Sequence, residues 1–214
     1  MPSKSSIPAP TVKRLSLYLR ELESSGDHDD QTVSSQQLGR ALGITDAQVR
    51  KDLAFVGQTG HPGIGYKADE LANGLRHVLG TDRAWHVTVV GAGKLGRALM
   101  GYGRFGDKGF DVAAVFDSDP QVVGTTVAGH RVRPLKDLEQ LIVERGIRVG
   151  IVATPAEAAQ AVTDRLVKAG VKGILNFAPI RLHAEGCSVV DVDLTLSLEQ
   201  LVCQVSLGIN EHSA

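Results

Sequence analysis

Residues 86–90, His-Val-Thr-Val-Val, run without a break into Gly91-Ala92-Gly93-Lys94-Leu95-Gly96. The first five read as a buried strand, and the G-x-G-x-x-G run that follows dictates a tight turn into a helix. Each glycine then has its own task. Gly91 permits the turn, Gly93 lets the backbone reach a pyrophosphate, and Gly96 lets the helix lie close to its strand. Ala92, Lys94 and Leu95 complete the cradle. A helix expected over residues 97–102 offers its free N–H groups and dipole to the anion.

A second strand, residues 111–116, ends at Asp117, 21 positions after Gly96. A carboxylate there can hold both hydroxyls of an adenosine ribose and repels a 2′-phosphate. The next residues, Ser118-Asp119-Pro120, bring no arginine. Together these features point to NAD(H) rather than NADP(H), the alternative being a vestigial fold with an empty site. Further strands are expected at 146–153, 171–176 and 187–192, with a helix over 156–169. This alternation predicts a Rossmann-like parallel sheet with helices on both faces. Ligands lie at the carboxyl ends of such strands, which places Thr154, Pro155, Asn176 and Phe177 around the nicotinamide end. Phe177 could equally be core, and Pro155 could simply start its helix.

The first 80 residues have a different texture, helices with short turns. A helix over about 10–24 places Val12, Leu15, Leu19 and Leu22 on one face, with Tyr18 beside them. Residues 23–34 read as an exposed acidic loop. Ser34-Ser35-Gln36-Gln37 and Thr45-Asp46-Ala47-Gln48 are two capping boxes flanking the Gly43-Ile44 turn. Two short helices so joined make a helix-turn-helix candidate. In the second, Val49, Leu53 and Val56 point inward, while Gln48, Arg50 and Lys51 suit base edges and phosphates. Residues 57–66 hold four glycines and read as the hairpin wing of a winged helix, with His61, Gly63, Gly65 and Tyr66 near a phosphate or a minor groove. The alternative is a small bundle with a solvated charged face and an ordinary hairpin.

Composition narrows the classes. With 23 Lys+Arg against 24 Asp+Glu, a uniformly basic coat is excluded, though a local basic face is not. No apolar run nears the length of a membrane span, and residues 1–10 lack the apolar core of a secretory signal. Cys187 and Cys203 form no C-x-x-C, which fits reduced thiols in a cytoplasmic setting and no metal site. The division expected is 1–80, 81–193 and 194–214. From Leu194 to Gly208 the one charged residue is Glu199, and Leu194, Leu198, Leu201, Val202 and Val205 form a stripe. A helix so poor in charge needs cover from more than one side, which predicts a homodimer interface; the alternative is packing across its own sheet.

These parts, with Tyr18-Leu19-Arg20, Gln48-Val49-Arg50-Lys51-Asp52-Leu53, Gly63-Ile64-Gly65-Tyr66, Gly91–Gly96, Gly173-Ile174-Leu175-Asn176-Phe177-Ala178-Pro179 and Val192-Asp193-Leu194, resemble the Rex redox-sensing transcriptional repressors of bacteria. The resemblance covers nearly the whole chain. It implies no enzyme but a homodimer whose C-terminal helix is swapped into the partner. Operator DNA would be bound when NADH is scarce and released when NADH binds. It also implies groove contacts from Arg50 and Lys51, and a polar relay between domains through Arg20, Tyr102 and Asp193. Two positions depart from the family pattern: His61-Pro62 stands where the wing often carries a basic residue, and Leu194 where many members have an aromatic. Two other readings fit the residues: a small NAD-dependent oxidoreductase with a helical appendage, and a nucleotide-binding module whose N-terminal helices bind protein. Yet the sheet consumes the chain to about residue 193, leaving no room for a substrate domain, and no hydride-transfer constellation stands out.

Overall fold

The computed structural model describes residues 7–24, 31–57, 60–61 and 63–208. Residues 25–30, half of the expected acidic loop, and the wing positions Gln58, Thr59 and Pro62 lie outside them. The chain divides into two units, with the break between Arg83 and Ala84.

The first unit begins with α1 (Ala9–Ser24), followed by the short strand β1 (Thr32–Val33) where only loop was expected. Next come α2 (Ser35–Leu42) and α3 (Asp46–Leu53), the latter running on into a 3-10 turn at Ala54–Val56. Strand β2 (Tyr66–Lys67) pairs antiparallel with β1, and α4 (Ala68–Leu79) closes the unit. At α2 the capping box is complete: Ser34 Oγ accepts the Gln37 N–H at 3.1 Å, and Gln37 Oε1 accepts the Ser34 N–H at 2.7 Å. Gly43, in the left-handed region, ends the helix. At α3 only half of the second box forms. Thr45 Oγ1 accepts the Gln48 N–H, but the Gln48 side chain turns away to Asp52. The inner face of α1 also differs from the expected stripe. Val12 is exposed, while Thr11, Leu15, Tyr18, Leu19 and Leu22 are buried against Leu38, Val49, Leu53, Leu71 and Leu75.

The second unit is a seven-stranded sheet. In chain order its strands are β3 (Trp85–Val90), β4 (Phe110–Asp117), β5 (Thr126–Val127), β6 (His130–Pro134), β7 (Val149–Val152), β8 (Gly173–Asn176) and β9 (Ser188–Asp191). In space they run β5-β6-β4-β3-β7-β8-β9, all parallel except the β5–β6 hairpin. The chain thus winds outward from β3 one way, returns, and winds outward the other way from β7. The sequence reading missed β5, β6 and two helices between β3 and β7, α6 (Arg104–Asp107) and α7 (Leu138–Glu144). It also started α5 (Lys94–Met100) three residues late. The crossover after β7 is α8 (Ala156–Lys168). Leu138, Ile142, Val162 and Leu166 fill one face of the sheet, and Met100, Val115 and Val132 lie in the core on the other.

The last helix, α9 (Leu194–Leu207), buries no residue at all. Leu194, Leu198, Leu201, Val202 and Val205 are each more than half exposed. Within one chain, therefore, the helix does not pack across its own sheet.

Candidate functional site

Two parallel strands diverging from the centre of a doubly wound sheet leave a crevice at their carboxyl ends. Here those strands are β3 and β7, and the crevice is bordered by the glycine loop and by Ala153-Thr154-Pro155. The glycines divide by purpose. Gly91 has φ +101°, and a Cβ on it would meet the Ala153 carbonyl oxygen at 2.4 Å. One on Gly96 would meet the Gly91 oxygen at 1.8 Å. These two positions are required by the fold itself. Gly93 has an ordinary extended conformation, and a Cβ there would touch nothing. The fold itself does not require glycine at this position, which leaves the backbone open to an approaching group.

Asp117, at the end of β4, reaches back to the loop. Its Oδ2 accepts the Ala92 N–H at 2.6 Å, and its Oδ1 accepts the Asp119 N–H at 2.9 Å. Arg97 Nε donates to the Ala92 carbonyl at 2.9 Å. One residue of the loop is therefore gripped on both sides, which fixes the orientation of the amides that follow. Arg97 was not anticipated from sequence; an arginine one turn into a helix reads as solvent-facing. The amides of Lys94, Leu95 and Gly96 open α5 and have no acceptor within it.

Across the crevice, Thr154 Oγ1 is buried and has no hydrogen-bond partner among the described residues. Buried hydroxyls are almost always satisfied, so this one is available to a polar group entering the crevice. Pro155 starts α8 and is exposed. Asn176 behaves differently. Its Nδ2 donates to the Ile180 carbonyl and to Asp191 Oδ1, both at 2.8 Å, and its Oδ1 accepts the Ala178 N–H at 2.9 Å. The side chain is spent on tying the ends of β8 and β9 together. Phe177 is half-buried against the hydrophobic core of the sheet. An NAD-type dinucleotide fits this donor set: open amides from Lys94 to Gly96 beside the bare Gly93, a hydroxyl at Thr154 with no partner among the described residues, and Asp117 at the second strand end.

In the first unit, α3 presents Arg50 and Lys51 to solvent. Arg50 is ion-paired with Asp46 at 2.7 Å and also donates to Ser35 Oγ at 3.2 Å. Next to it the chain turns back on itself: the His61 N–H donates to the Gly65 carbonyl at 2.8 Å, and the Gly65 N–H to the His61 carbonyl at 2.9 Å. Tyr66 continues into β2. A cavity of about 440 Å³ between this turn and α3 is lined by Ser34, Ser35, Arg50, His61, Ile64 and Tyr66. Gly63 is open, whereas a Cβ on Gly65 would strike the Val33 carbonyl oxygen at 2.5 Å, so Gly65 is a packing glycine.

Beneath α3 lies a cluster that sequence reasoning missed. Asp52, 1% exposed, accepts from Arg14 Nε at 2.6 Å, Arg14 Nη2 at 2.8 Å, Gln48 Nε2 at 2.9 Å, the Tyr18 hydroxyl at 3.0 Å and Thr11 Oγ1 at 3.4 Å. Burial pushes its carboxyl upward, but the hydrogen bonds from Arg14, Tyr18 and Gln48 outweigh that and hold it below the usual carboxylate range. Burial also drives the Tyr18 hydroxyl well above its ordinary value. Asp52 thus bolts α3 to α1. Arg20 lies exposed further along α1. In the second unit, Tyr102 packs edge-on against Phe105 with ring centroids 5.4 Å apart, and Asp193 Oδ1 caps α9 by accepting the Thr195 and Leu196 N–H groups.

Residues 82–180 match the family described as a CoA binding domain, and residues 6–54 the family described as a putative DNA-binding protein N-terminus. The redox-sensing transcriptional repressor Rex of Syntrophobacter fumaroxidans is 42% identical over 94% of this chain and 97% of its own length. That of Streptomyces coelicolor is 44% identical over 97% of this chain and 81% of its own. The chain belongs to the Rex family of redox-sensing transcriptional repressors. A Rex-family repressor, RSP, solved in complex with β-NAD⁺ and operator DNA, superposes with a TM-score of 0.89 at 33% identity, covering 96% of this chain and 95% of that one. Its complex with β-NADH gives 0.86 at 32% identity, covering 96% and 97%. Among the described residues no helix is long and apolar enough to cross a membrane.

Proposed function

We propose that this Rex-family chain binds operator DNA through its first unit while NADH is scarce, and releases it when NADH occupies the second. What carries the reading is the joining, in one chain, of a helix-turn-helix to a glycine cradle at the switch point of a doubly wound sheet, in a family with a relative, RSP, solved with β-NAD⁺ on operator DNA and with β-NADH. NAD(H) is here a regulatory ligand and the protein a repressor, not an enzyme. We place it in the cytoplasm with its DNA.

In this reading the amides from Gly93 to Gly96 hold the pyrophosphate, with the loop braced by Asp117 and Arg97. Thr154 supplies a hydroxyl at the opposite wall. Phe177 and Pro155 give the nicotinamide end an apolar lining. The oxidised ring is cationic and the reduced ring neutral, so an apolar lining penalises the oxidised form by desolvation and favours NADH. Asp117 also disfavours a ribose phosphate, which sets NAD(H) apart from NADP(H) and from coenzyme A. Asn176 shapes the wall and contributes no free polar atom.

On the DNA side, Lys51 and Arg50 approach the groove, with the turn at His61–Gly65 beside them. Arg50 must first give up Asp46. The bare apolar stripe of α9 pairs with a second copy, its helix swapped into the partner, and two copies present two reading helices to two half-sites. Arg20, Tyr102 and Asp193 are the polar residues through which coenzyme occupancy reaches the first unit. Reversing a 99:1 preference between DNA-competent and released forms takes about 10⁴-fold differential affinity, roughly 5.5 kcal/mol. By reciprocity, operator DNA weakens NADH binding by the same factor.

The test is a gel-shift on upstream genomic fragments, titrated with NADH at fixed NAD⁺. Release by NADH, with NADPH and coenzyme A inert, is the expected result. Retention at saturating NADH overturns the reading, and turnover of a carbonyl substrate would favour the oxidoreductase alternative.

A further inference from the structure

Seven of the chain's fourteen arginines form two contrasting sets. Arg14, Arg50, Arg76 and Arg165 each pair with a carboxylate: Asp52, Asp46, Glu23 and Glu139. Arg131, Arg133 and Arg145 have no carboxylate partner among the described residues, yet all three line a single cavity. Strand geometry brings two of them together. Side chains alternate along a strand, and Val132 of β6 is buried on the Val115 face, so Arg131 and Arg133 project to the opposite face. There Arg145, just past the end of α7, joins them, its Nη1 donating to the Ala113 carbonyl of β4. His130, Ala114 and Leu141 also line it. The cavity holds about 200 Å³.

We propose that this cavity is a second anion site, for a small phosphate-bearing metabolite and separate from the coenzyme crevice. It lies on the sheet face covered by α7 and α8, partway along β4, whereas the glycine loop sits at the carboxyl end of β3 and leads into α5 on the other side. Three arginines line this one cavity with no carboxylate partner among the described residues; like charges so placed repel one another, and a bound anion turns that repulsion into attraction. The planar fork of arginine matches a phosphate two oxygens at a time, and Arg145 is already anchored on the backbone. The volume is below the roughly 300 Å³ at which sites for drug-sized ligands begin, which restricts the occupant to a compact, multiply charged group.

The probe is inorganic phosphate, added to the full-length protein saturated with NADH, with ionic strength held constant by chloride. We expect a saturable rise in melting temperature of a few degrees at phosphate far above its Kd, and saturable broadening of the phosphorus resonance. The Arg131→Ser/Arg133→Ser double variant should lose at least nine-tenths of both effects while keeping wild-type NADH affinity. Both side chains are exposed, so folding should be unaffected; Arg133→Lys, which keeps charge but loses the fork, should lower phosphate affinity several-fold. Should the wild type show no saturable response, or the double variant respond as fully as the wild type, the proposal is overturned. It also fails if phosphate has no effect and the double variant instead loses affinity for duplex DNA, which would make the patch a DNA contact.

Discussion

The carboxylate of Asp117 accepts the Ala92 N–H at 2.6 Å, so the residue expected to meet a ribose also holds the glycine loop in place. Its removal should act on both fronts. Loss of a charge-assisted hydrogen bond is worth about 1.5–3 kcal/mol, and Asp117→Ala should therefore weaken NADH binding about 10- to 100-fold in a fluorescence titration. Operator binding without coenzyme should stay at the wild-type level in a gel-shift. Loss of both would move Asp117 out of the coenzyme site and into the general stability of the unit.

Thr154 offers a cleaner separation of fold from ligand. Its buried hydroxyl has no partner among the described residues, so Thr154→Val removes an unmet polar atom at nearly constant shape. Stability in a denaturant titration should be unchanged or higher by about 1 kcal/mol, while NADH affinity falls. A variant that binds NADH as the wild type does would leave the hydroxyl without a role in the site.

Asp52 ties acid sensitivity to the first unit. Its folded pKa is depressed, so its stabilising contribution is fully present above the unfolded carboxylate value, about 3.9, and is lost as pH falls through the lower folded value. Asp52→Asn removes the buried charge that Arg14 faces and should cost the first unit about 3 kcal/mol at pH 7. Urea unfolding at a series of pH values should show the gap between the two proteins closing only below pH about 4. A constant gap would mean that packing, not charge, explains the loss.

Lys51 and Gln48 should separate under salt and sequence changes. Lys51 is exposed; Lys51→Ala should weaken all DNA alike and lower the slope of log affinity against log salt by about one. Gln48 is committed to Asp52 at 2.9 Å, so Gln48→Ala should weaken every operator variant by one common factor. Relaxed discrimination at a single base pair would instead put Gln48 on a base edge.

The α9 stripe predicts the assembly. Leu198→Glu with Val202→Lys places two charges on side chains that are each 61% exposed in the single chain, so the fold of the second unit should be unaffected. In sedimentation the wild type should run as a dimer and the variant as a monomer. A variant that stays dimeric would place the interface elsewhere.

The centre of the second unit was legible because its signals are local. A valine strand, three spaced glycines and a carboxylate at the next strand end all sit within 32 residues, 86–117. Strands β5 and β6 were not, because the first is two residues long and the second alternates basic side chains with its buried Val132 before ending in proline. In α1 the expected stripe ran through Val12, whereas the buried one runs through Thr11 and Tyr18, since a hydroxyl bonded to Asp52 is welcome in the core and an apolar pattern cannot reveal it. Asp52 and Arg97 escaped for the same reason. A charged residue on a helix reads as solvent-facing until another element supplies its partner: α1 for Asp52, the glycine loop for Arg97.

Helix α9 leaves more than half the surface of seven large apolar side chains open to water in a single chain. If a second copy closes over them, resistance to heat becomes a function of how much protein is present, because dilution alone strips the cover away. A scarcely produced repressor of this design would melt earlier and fall to proteases sooner. Abundance and durability would then climb together, whatever the redox poise around it.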